Sequence, residues 1–199
     1  AELGLERPAV AAPVGSYVPA IRDGDLVLTS GQLPFVAGSL PATGKVGAEV
    51  SGEDAYGYAR QAALNAIAAV DARVGIDNVA RVLKIVGFVA SDPGFTGQPA
   101  VINGASELIQ EIFGEAGAHA RSAVGVAVLP MDAPVEVELV VEHDDVVGVE
   151  LGGALKNVIA IAAGAVGLSG REAEILRGSI GYSLGMLGFM CLWSFALAA

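Results

Sequence analysis

The sequence predicts an α+β domain over residues 1–143, followed by a hydrophobic helical tail over residues 144–199. Strand-like and helix-like segments follow one another in the order β-β-α-β-α-β-β, and each helical segment carries a single apolar face. We therefore expect the two helices to cover one face of a single sheet. The strands are also apolar on their other face, which we expect to pack against another subunit.

The first elements are two short strands within residues 16–34, joined by a turn at Asp23 and Gly24. Aspartate followed by glycine between apolar runs is a typical hairpin signal. Residues 35–50 contain prolines and several glycines, so we expect a loop there.

The first helix is expected to begin at Ser51, because Asp54 lies three residues further on in a weak capping box. Apolar residues then recur at helical spacing until Gly75, where the helix should end. Asn65 lies in the middle of this helix, and we expect it to be a buried, structural hydrogen bonder.

The later elements alternate in the same way. We expect a β-branched strand over residues 79–91, a loop over 92–99 and a second amphipathic helix over 100–114. Two final strands should follow over residues 121–129 and 135–143, joined by a short loop over 130–134.

Composition excludes several classes of function. The formal net charge is -11, from 22 acidic and 11 basic residues, so we expect no nucleic-acid binding. The single cysteine, Cys191, allows no intrachain disulfide, and His119 and His143 lie too far apart in sequence for ligand-type spacing, so we expect no metal site. The first residues do not resemble a signal peptide, which leads us to expect a cytoplasmic protein.

Arg121 is a lone cation at the start of an otherwise apolar strand. A guanidinium group presents a planar fork of donors that matches a carboxylate, so a ligand role is one interpretation. An ion pair with Glu136 or Glu138 is the other, and the pattern alone supports both equally.

Glu136 and Glu138 share one strand face because side chains alternate along a strand. A carboxylate facing a sheltered cleft can position or deprotonate a water molecule. A solvated charge on an edge strand explains Glu136 equally well.

Four stretches together resemble one known family: VGSYVPAIRDGDLVLTSGQLP, ARQAALNAIAAV, VINGASELIQEIFGEAG and ARSAVGVAVLPMDAPVEVELVVE. Residues 13–143 are similar to the Rid family (YjgF/RidA, historically endoribonuclease L-PSP). The loop over residues 35–50 and the phrase HARSAVG look more like a divergent YjgF-like branch. The resemblance implies a chorismate mutase-like fold, a homotrimer, and ligand clefts between neighbouring subunits.

The resemblance also implies an activity, which is the hydrolysis of enamines and 2-imino acids to 2-keto acids and ammonia. Arg121 would hold the substrate carboxylate, and Tyr17, Ser30, Asn103 and Glu136 would line the pocket. No cofactor is expected, since an iminium carbon is already electrophilic. Ala123 stands where RidA proteins often have cysteine, which leaves the substrate, and turnover itself, open.

Purely structural interpretations of the same residues stay open. Tyr17 suits interface packing, Ser30 a turn, and Asn103 a helix N-cap. His119 shares the strand side of Arg121 by alternation, although a solvated loop histidine is the favoured interpretation.

The tail is a mosaic of resemblances. Residues 144–164 are similar to a segment of NAD-dependent glycerol-3-phosphate dehydrogenases, in which the lysine matching Lys156 belongs to the active site. The chain lacks the glycine-rich dinucleotide fingerprint, so we expect no dehydrogenase activity. Residues 165–199 faintly resemble the end of lactate permeases. Residues 178–199 carry no charge and are long enough to cross a membrane, whereas a helix pair packed on the domain or its oligomer is the alternative.

Three hypotheses therefore follow. The first is a trimeric imine deaminase, and the second is a non-catalytic trimer that binds a small carboxylate. The third is a tail-anchored or scaffolding protein in which the tail is the functional part.

Overall fold

The computed structural model describes residues 8–13 and 15–144, which form a five-stranded sheet and two long helices. The chain divides into two units between Asp144 and Asp145, and the described residues all belong to the first unit. Its main elements are β1 (Ala20–Asp23), β2 (Leu26–Thr29), α1 (Gly52–Val74), β3 (Val79–Ala90), α2 (Gln98–Phe113), β4 (Ala120–Val126) and β5 (Val135–His143). The predicted order of elements is confirmed.

The sheet has the strand order β1-β2-β5-β3-β4. Strands β3 and β4 are parallel, whereas the other neighbours are antiparallel. Strand β3 therefore lies between β4 and β5, which follow each other in sequence. This order separates side chains that the sequence alone would place on adjacent strands.

Helix α1 begins and ends at its sequence signals. The Ser51 side chain accepts a hydrogen bond of 3.0 Å from the Asp54 N–H, as a capping serine does. At the other end Gly75 takes a positive φ of 81°, a conformation that glycine adopts at little cost. The predicted helix start after Ser51 and the helix end at Gly75 are confirmed.

Small residues let α1 approach its neighbours closely. Its fully buried inner positions include Ala55, Ala59, Ala62 and Ala66. Helix α2 contributes Gly104, where an added Cβ would lie 2.1 Å from the Tyr56 carbonyl oxygen of α1. The backbones of the two helices therefore touch at this point.

The two faces of the sheet differ in burial. Along β5 the residues Val135, Val137, Leu139 and Val141 are buried in the main core, while the glutamates between them are half-buried. Both helices pack on this core, which we call the covered face. The opposite or open face exposes apolar side chains that include Leu26, Leu28 and Val124. Packing of the open face against another subunit stays a prediction.

Several predicted boundaries are wrong. Helix α2 spans Gln98–Phe113 rather than residues 100–114, and β3 ends at Ala90 rather than at residue 91. Asp23 pairs with Leu26, so the hairpin turn is formed by Gly24 and Asp25, one residue later than expected. Strand β4 ends at Val126 rather than at residue 129, because its only partner strand among the described residues, β3, ends at Ala90 opposite Val126.

The loop over residues 35–50 is anchored by Asn65. Its side-chain Nδ2 donates hydrogen bonds to the carbonyl oxygens of Leu33, at 2.8 Å, and Phe35, at 3.1 Å. Asn65 is only 3% exposed, so its predicted role as a buried structural hydrogen bonder is confirmed.

The hydrophobic tail and its predicted anchor over residues 178–199 lie outside the described residues. Among residues 8–13 and 15–144, the structure contains no helix with the length and apolarity needed to span a membrane.

Candidate active site

Arg121 lies on the edge strand β4 and on the covered face. It stands beside Ile85 of β3 in register, and Ile85 is fully buried beneath the helices. The Arg121 NH1 group donates to the Asn103 Oδ1 atom at 2.8 Å and to the Ser106 Oγ atom at 3.1 Å. Helix α2 carries both acceptors one turn apart, so they meet the same nitrogen.

This arginine is partly exposed although it sits at the margin of the core. Its only hydrogen-bond acceptors among the described residues are these two neutral oxygens. The positive charge therefore has no carboxylate partner in this part of the chain, and the remaining guanidinium donors can take an anionic ligand.

The arginine contacts extend to His119. The His119 Nε2 atom lies 3.0 Å from the same Ser106 Oγ, and the Nδ1 atom lies 2.6 Å from the Gly117 carbonyl oxygen. We call Asn103, Ser106, His119 and Arg121 the arginine cluster. His119 lies in the loop before β4, as the favoured interpretation predicts, but its ring is half-buried and both nitrogens are engaged rather than solvated.

Glu136 lies on the other face of the sheet. It stands beside Phe88 of β3 in register, on the side away from the helices. Its carboxylate reaches the backbone of Gly31, where an added Cβ would lie 1.7 Å from Oε1. Burial raises the pKa of the Glu136 carboxyl above its ordinary value, and the charge of Glu138 raises it further.

Tyr17 and Ser30 lie near Gly31 rather than near Arg121. Tyr17 is 45% exposed and lines a small recess together with Gly31. The Ser30 hydroxyl donates to the Val18 carbonyl oxygen at 2.6 Å. We call Tyr17, Ser30, Gly31 and Glu136 the glutamate cluster.

The predicted site residues thus fall into two separate clusters within the chain. Between Arg121 and Glu136 lie two strand spacings, roughly 10 Å, and an offset of three residues along β3, again roughly 10 Å. The ion-pair interpretation of Arg121 is wrong for both glutamates, because β3 intervenes and Glu136 and Glu138 face the opposite side.

The position of Asn103 excludes its role as a helix cap. Asn103 lies inside α2, whose N-cap is Gly97, so the capping interpretation is wrong. Its side chain instead bonds Arg121. For Tyr17 the exposed position leaves interface packing open.

Two site residues were missed from sequence. Gly31 leaves room for the Glu136 carboxylate, and Ser106 joins Arg121 to His119. A signal for Ser106 existed, since it lies three residues after Asn103 on an amphipathic helix. Nothing local marks Gly31, because its contact comes from a strand about a hundred residues away in sequence.

Metal-binding groups do not cluster in residues 8–13 and 15–144, where no three His, Cys, Asp or Glu side chains are arranged to hold an ion. The groups that the two clusters offer are a guanidinium, an imidazole, an amide, a carboxyl and hydroxyl groups.

Comparisons with known proteins match two parts of the chain, residues 1–143 and residues 145–176, to different families. Residues 145–176 match the C-terminal family of NAD-dependent glycerol-3-phosphate dehydrogenases. The glycerol-3-phosphate dehydrogenase of Thiobacillus denitrificans is 63% identical over 41 residues, 18% of this chain and 12% of that enzyme. This resemblance of the tail is confirmed as a fragment, while the likeness of residues 165–199 to lactate permeases stays a prediction.

The first unit of the chain aligns with most of the length of its relatives. Protein TCP17 from Trypanosoma cruzi is 46% identical over 144 residues, 70% of this chain and 89% of the relative. The 2-iminobutanoate/2-iminopropanoate deaminase of Escherichia coli is 35% identical over 131 residues, 65% of this chain and 88% of that enzyme.

Solved structures share the fold. A crystal structure of an Agrobacterium tumefaciens protein with unknown function matches with a TM-score of 0.67 at 46% identity, over 72% of this chain and 89% of that chain. Residues 1–143 match the family model described as YjgF/chorismate mutase-like, putative endoribonuclease. The α+β sheet with two helices is thus the fold of this family, and the chain belongs to the YjgF/chorismate mutase-like family.

Proposed function

We propose that this protein is an imine deaminase, which hydrolyses 2-imino acids and their enamine tautomers to 2-keto acids and ammonia. The observation that carries the proposal is the Arg121 guanidinium, which bonds only neutral oxygens of α2 among the described residues. A partly buried cation without an anionic partner is costly, and a bound carboxylate relieves that cost.

The reaction asks for orientation rather than for a covalent nucleophile. Water adds to the iminium carbon to give a carbinolamine, whose C–N bond then breaks to release ammonia and leave the keto acid. Arg121 fixes the substrate through its carboxylate, so that water and the electrophilic carbon meet in one geometry. Protons pass from the attacking water to the leaving nitrogen.

Glu136 is the residue suited to this proton transfer. Its raised pKa brings the carboxyl nearer to the working pH, where a general base and acid is most effective. Within one subunit, however, Glu136 faces away from Arg121. We therefore propose a homotrimer in which the arginine cluster of one subunit meets the glutamate cluster of its neighbour.

The relative of known activity supports the same reaction class. The Escherichia coli protein that is 35% identical bears the name of a deaminase for 2-iminobutanoate and 2-iminopropanoate. Ala123 packs against the core in this chain and supplies no polar atom to the reaction, so a mechanism here has to work without a side-chain nucleophile at that position.

The test is direct. Freshly generated 2-iminopropanoate is incubated with the full chain, and the release of pyruvate and ammonia is compared with the rate in buffer. Arg121→Ala should lower kcat/KM roughly 30-fold to several thousand-fold. This corresponds to a loss of about 2–5 kcal/mol in transition-state stabilisation. The matched control is Arg73→Ala, in the last turn of α1, which should change little.

A folded wild-type protein that does not accelerate the reaction contradicts the deaminase proposal. Calorimetry with 2-oxobutyrate then tests the alternative of a non-catalytic trimer that binds small carboxylates. Binding that is lost in Arg121→Ala but kept in Arg73→Ala supports that alternative.

A further inference from the structure

We propose that Ser106 and His119 are positioning residues that orient Arg121 for side-on binding of the substrate carboxylate. The proposal rests on the proposed function, since it concerns the same carboxylate. Neither residue is expected to contact the substrate. They act by holding one guanidinium nitrogen in place.

The direction of each hydrogen bond follows from chemistry. The Gly117 carbonyl can only accept, so the His119 Nδ1 atom carries the hydrogen in their 2.6 Å contact. In the neutral imidazole the Nε2 atom then has a lone pair, and the Ser106 hydroxyl donates to it across 3.0 Å. The hydroxyl oxygen therefore turns its own lone pairs toward Arg121.

This direction of the hydrogen bonds leaves the Ser106 oxygen free to accept a hydrogen bond from Arg121. The NH1 group has two hydrogens, and the Ser106 and Asn103 oxygens provide two acceptors at 3.1 and 2.8 Å. With both NH1 hydrogens engaged, the donors that have no partner among residues 8–13 and 15–144 are on Nε and NH2. These two atoms form the parallel pair of a side-on guanidinium–carboxylate contact.

The Gly117 carbonyl, which ends this series of hydrogen bonds, is also held in place by packing. Gly117 is buried, and an added Cβ there would lie 2.7 Å from the Ile109 carbonyl oxygen of α2. The turn that presents the Gly117 carbonyl is thus packed against the same helix that carries Ser106. Arg121 is oriented by one rigid helix along two routes, directly and through His119.

The first experiment measures the split between binding and turnover. Ser106→Ala should raise KM for the imino acid and Kd for 2-oxobutyrate about three- to tenfold, as for a lost hydrogen bond, with kcat changing less than about twofold. Ser106→Thr keeps the hydroxyl and should restore both constants, and Ser39→Ala in an exposed loop is the matched control. Unchanged constants in a folded Ser106→Ala protein overturn the proposal.

A second variant covers the case in which Ser106→Ala does not fold. His119→Phe leaves the serine in place but removes its acceptor, and it should show the same rise in KM and Kd. Wild-type binding of 2-oxobutyrate without imine hydrolysis would remove the proposed function alone, while the Kd values still decide the positioning role. A wild type that neither binds nor hydrolyses refutes both.

The second experiment reads the tautomer directly. The chain has only two histidines, so nitrogen NMR of the imidazole rings gives few signals. His119 should carry its hydrogen on Nδ1. His143 is the internal control, because its Nε2 atom lies 3.3 Å from the Gly24 carbonyl oxygen and should carry the hydrogen instead. An Nε2–H tautomer at His119 would reverse the hydrogen bond between Ser106 and His119 and overturn the proposal.

Discussion

The covered and open faces of the sheet hold their functional side chains in different ways. On the covered face, Arg121 is bonded to α2 through two neutral acceptors. On the open face, Glu136 accepts no hydrogen bond from the described residues and is placed by contact with the Gly31 backbone. The Arg121 side chain is therefore held by hydrogen bonds to α2, whereas the Glu136 carboxylate is held by packing alone among the described residues. In the proposed reaction the first group would fix the substrate and the second would transfer protons.

The strongest test of this contrast separates turnover from binding. Glu136→Gln should lower kcat by about 10²–10⁴-fold, as for a lost general acid–base group, while Kd for 2-oxobutyrate changes little. Arg121→Lys keeps the charge but loses the fork, so it should mainly weaken binding. Steady-state kinetics and calorimetry check both variants. Equal effects of both variants on Kd would break the assignment of separate roles.

The close packing of the covered face predicts a large effect on stability. Gly104→Ala should lower the free energy of unfolding by about 1–3 kcal/mol, because the new methyl group meets the α1 backbone. Gly57→Ala is the matched control on α1, since a Cβ there has no neighbour within 4 Å. It should stabilise the protein by about 0.5–1 kcal/mol through helix propensity. Urea unfolding measures both, and a stabilised Gly104→Ala protein contradicts the packing.

The open face should tolerate the equivalent change better. The atoms nearest to a Cβ at Gly31 are the Oε1, Cδ and Cγ atoms of Glu136 rather than backbone atoms. The melting temperature of Gly31→Ala should therefore fall by no more than a few degrees. Turnover should fall about tenfold because the carboxylate moves. A tenfold fall corresponds to a loss of about 1.4 kcal/mol in transition-state stabilisation. A variant with full activity would show that the position of the carboxylate is unimportant.

The smallest expected effect is a dependence of stability on pH. The pKa of Glu136 is raised in the folded state, so the ionised carboxylate disfavours folding once the pH exceeds its unfolded value. Glu136→Gln should therefore raise the melting temperature at pH 7, and the gain should vanish below about pH 4, where the wild-type carboxyl is protonated in both states.

Glu49 provides a control of opposite sign. A hydrogen bond from the Lys45 N–H lowers the pKa of its carboxyl. Glu49→Gln should thus lower the melting temperature at pH 7 and lose this effect in acid. Thermal unfolding from pH 3 to 8 compares the two variants, and a shared sign contradicts the difference between the two environments.

Much of the fold could be predicted because its signals are local. Ser51, Gly75 and the repeat of buried alanines place α1, and the Val–Glu alternation places β5 with both boundaries correct. Boundaries failed where a partner strand decides them, as at Val126, since a strand ends when its neighbour stops offering hydrogen bonds. The role of Asn65 was also accessible, because a polar residue within an apolar helical face needs a buried partner.

The chain's amino-acid order alone established the family resemblance, the limits of α1 and the choice of Arg121 as the one cation in its strand. Three-dimensional packing established which groups meet. Insertion of β3 between β4 and β5 places Arg121 and Glu136 on opposite faces, and α2 brings Ser106 to the guanidinium. The physical reason is that periodicity reports which side of its own strand a residue occupies. Strand order and contacts between distant segments arise from burying all the apolar faces together.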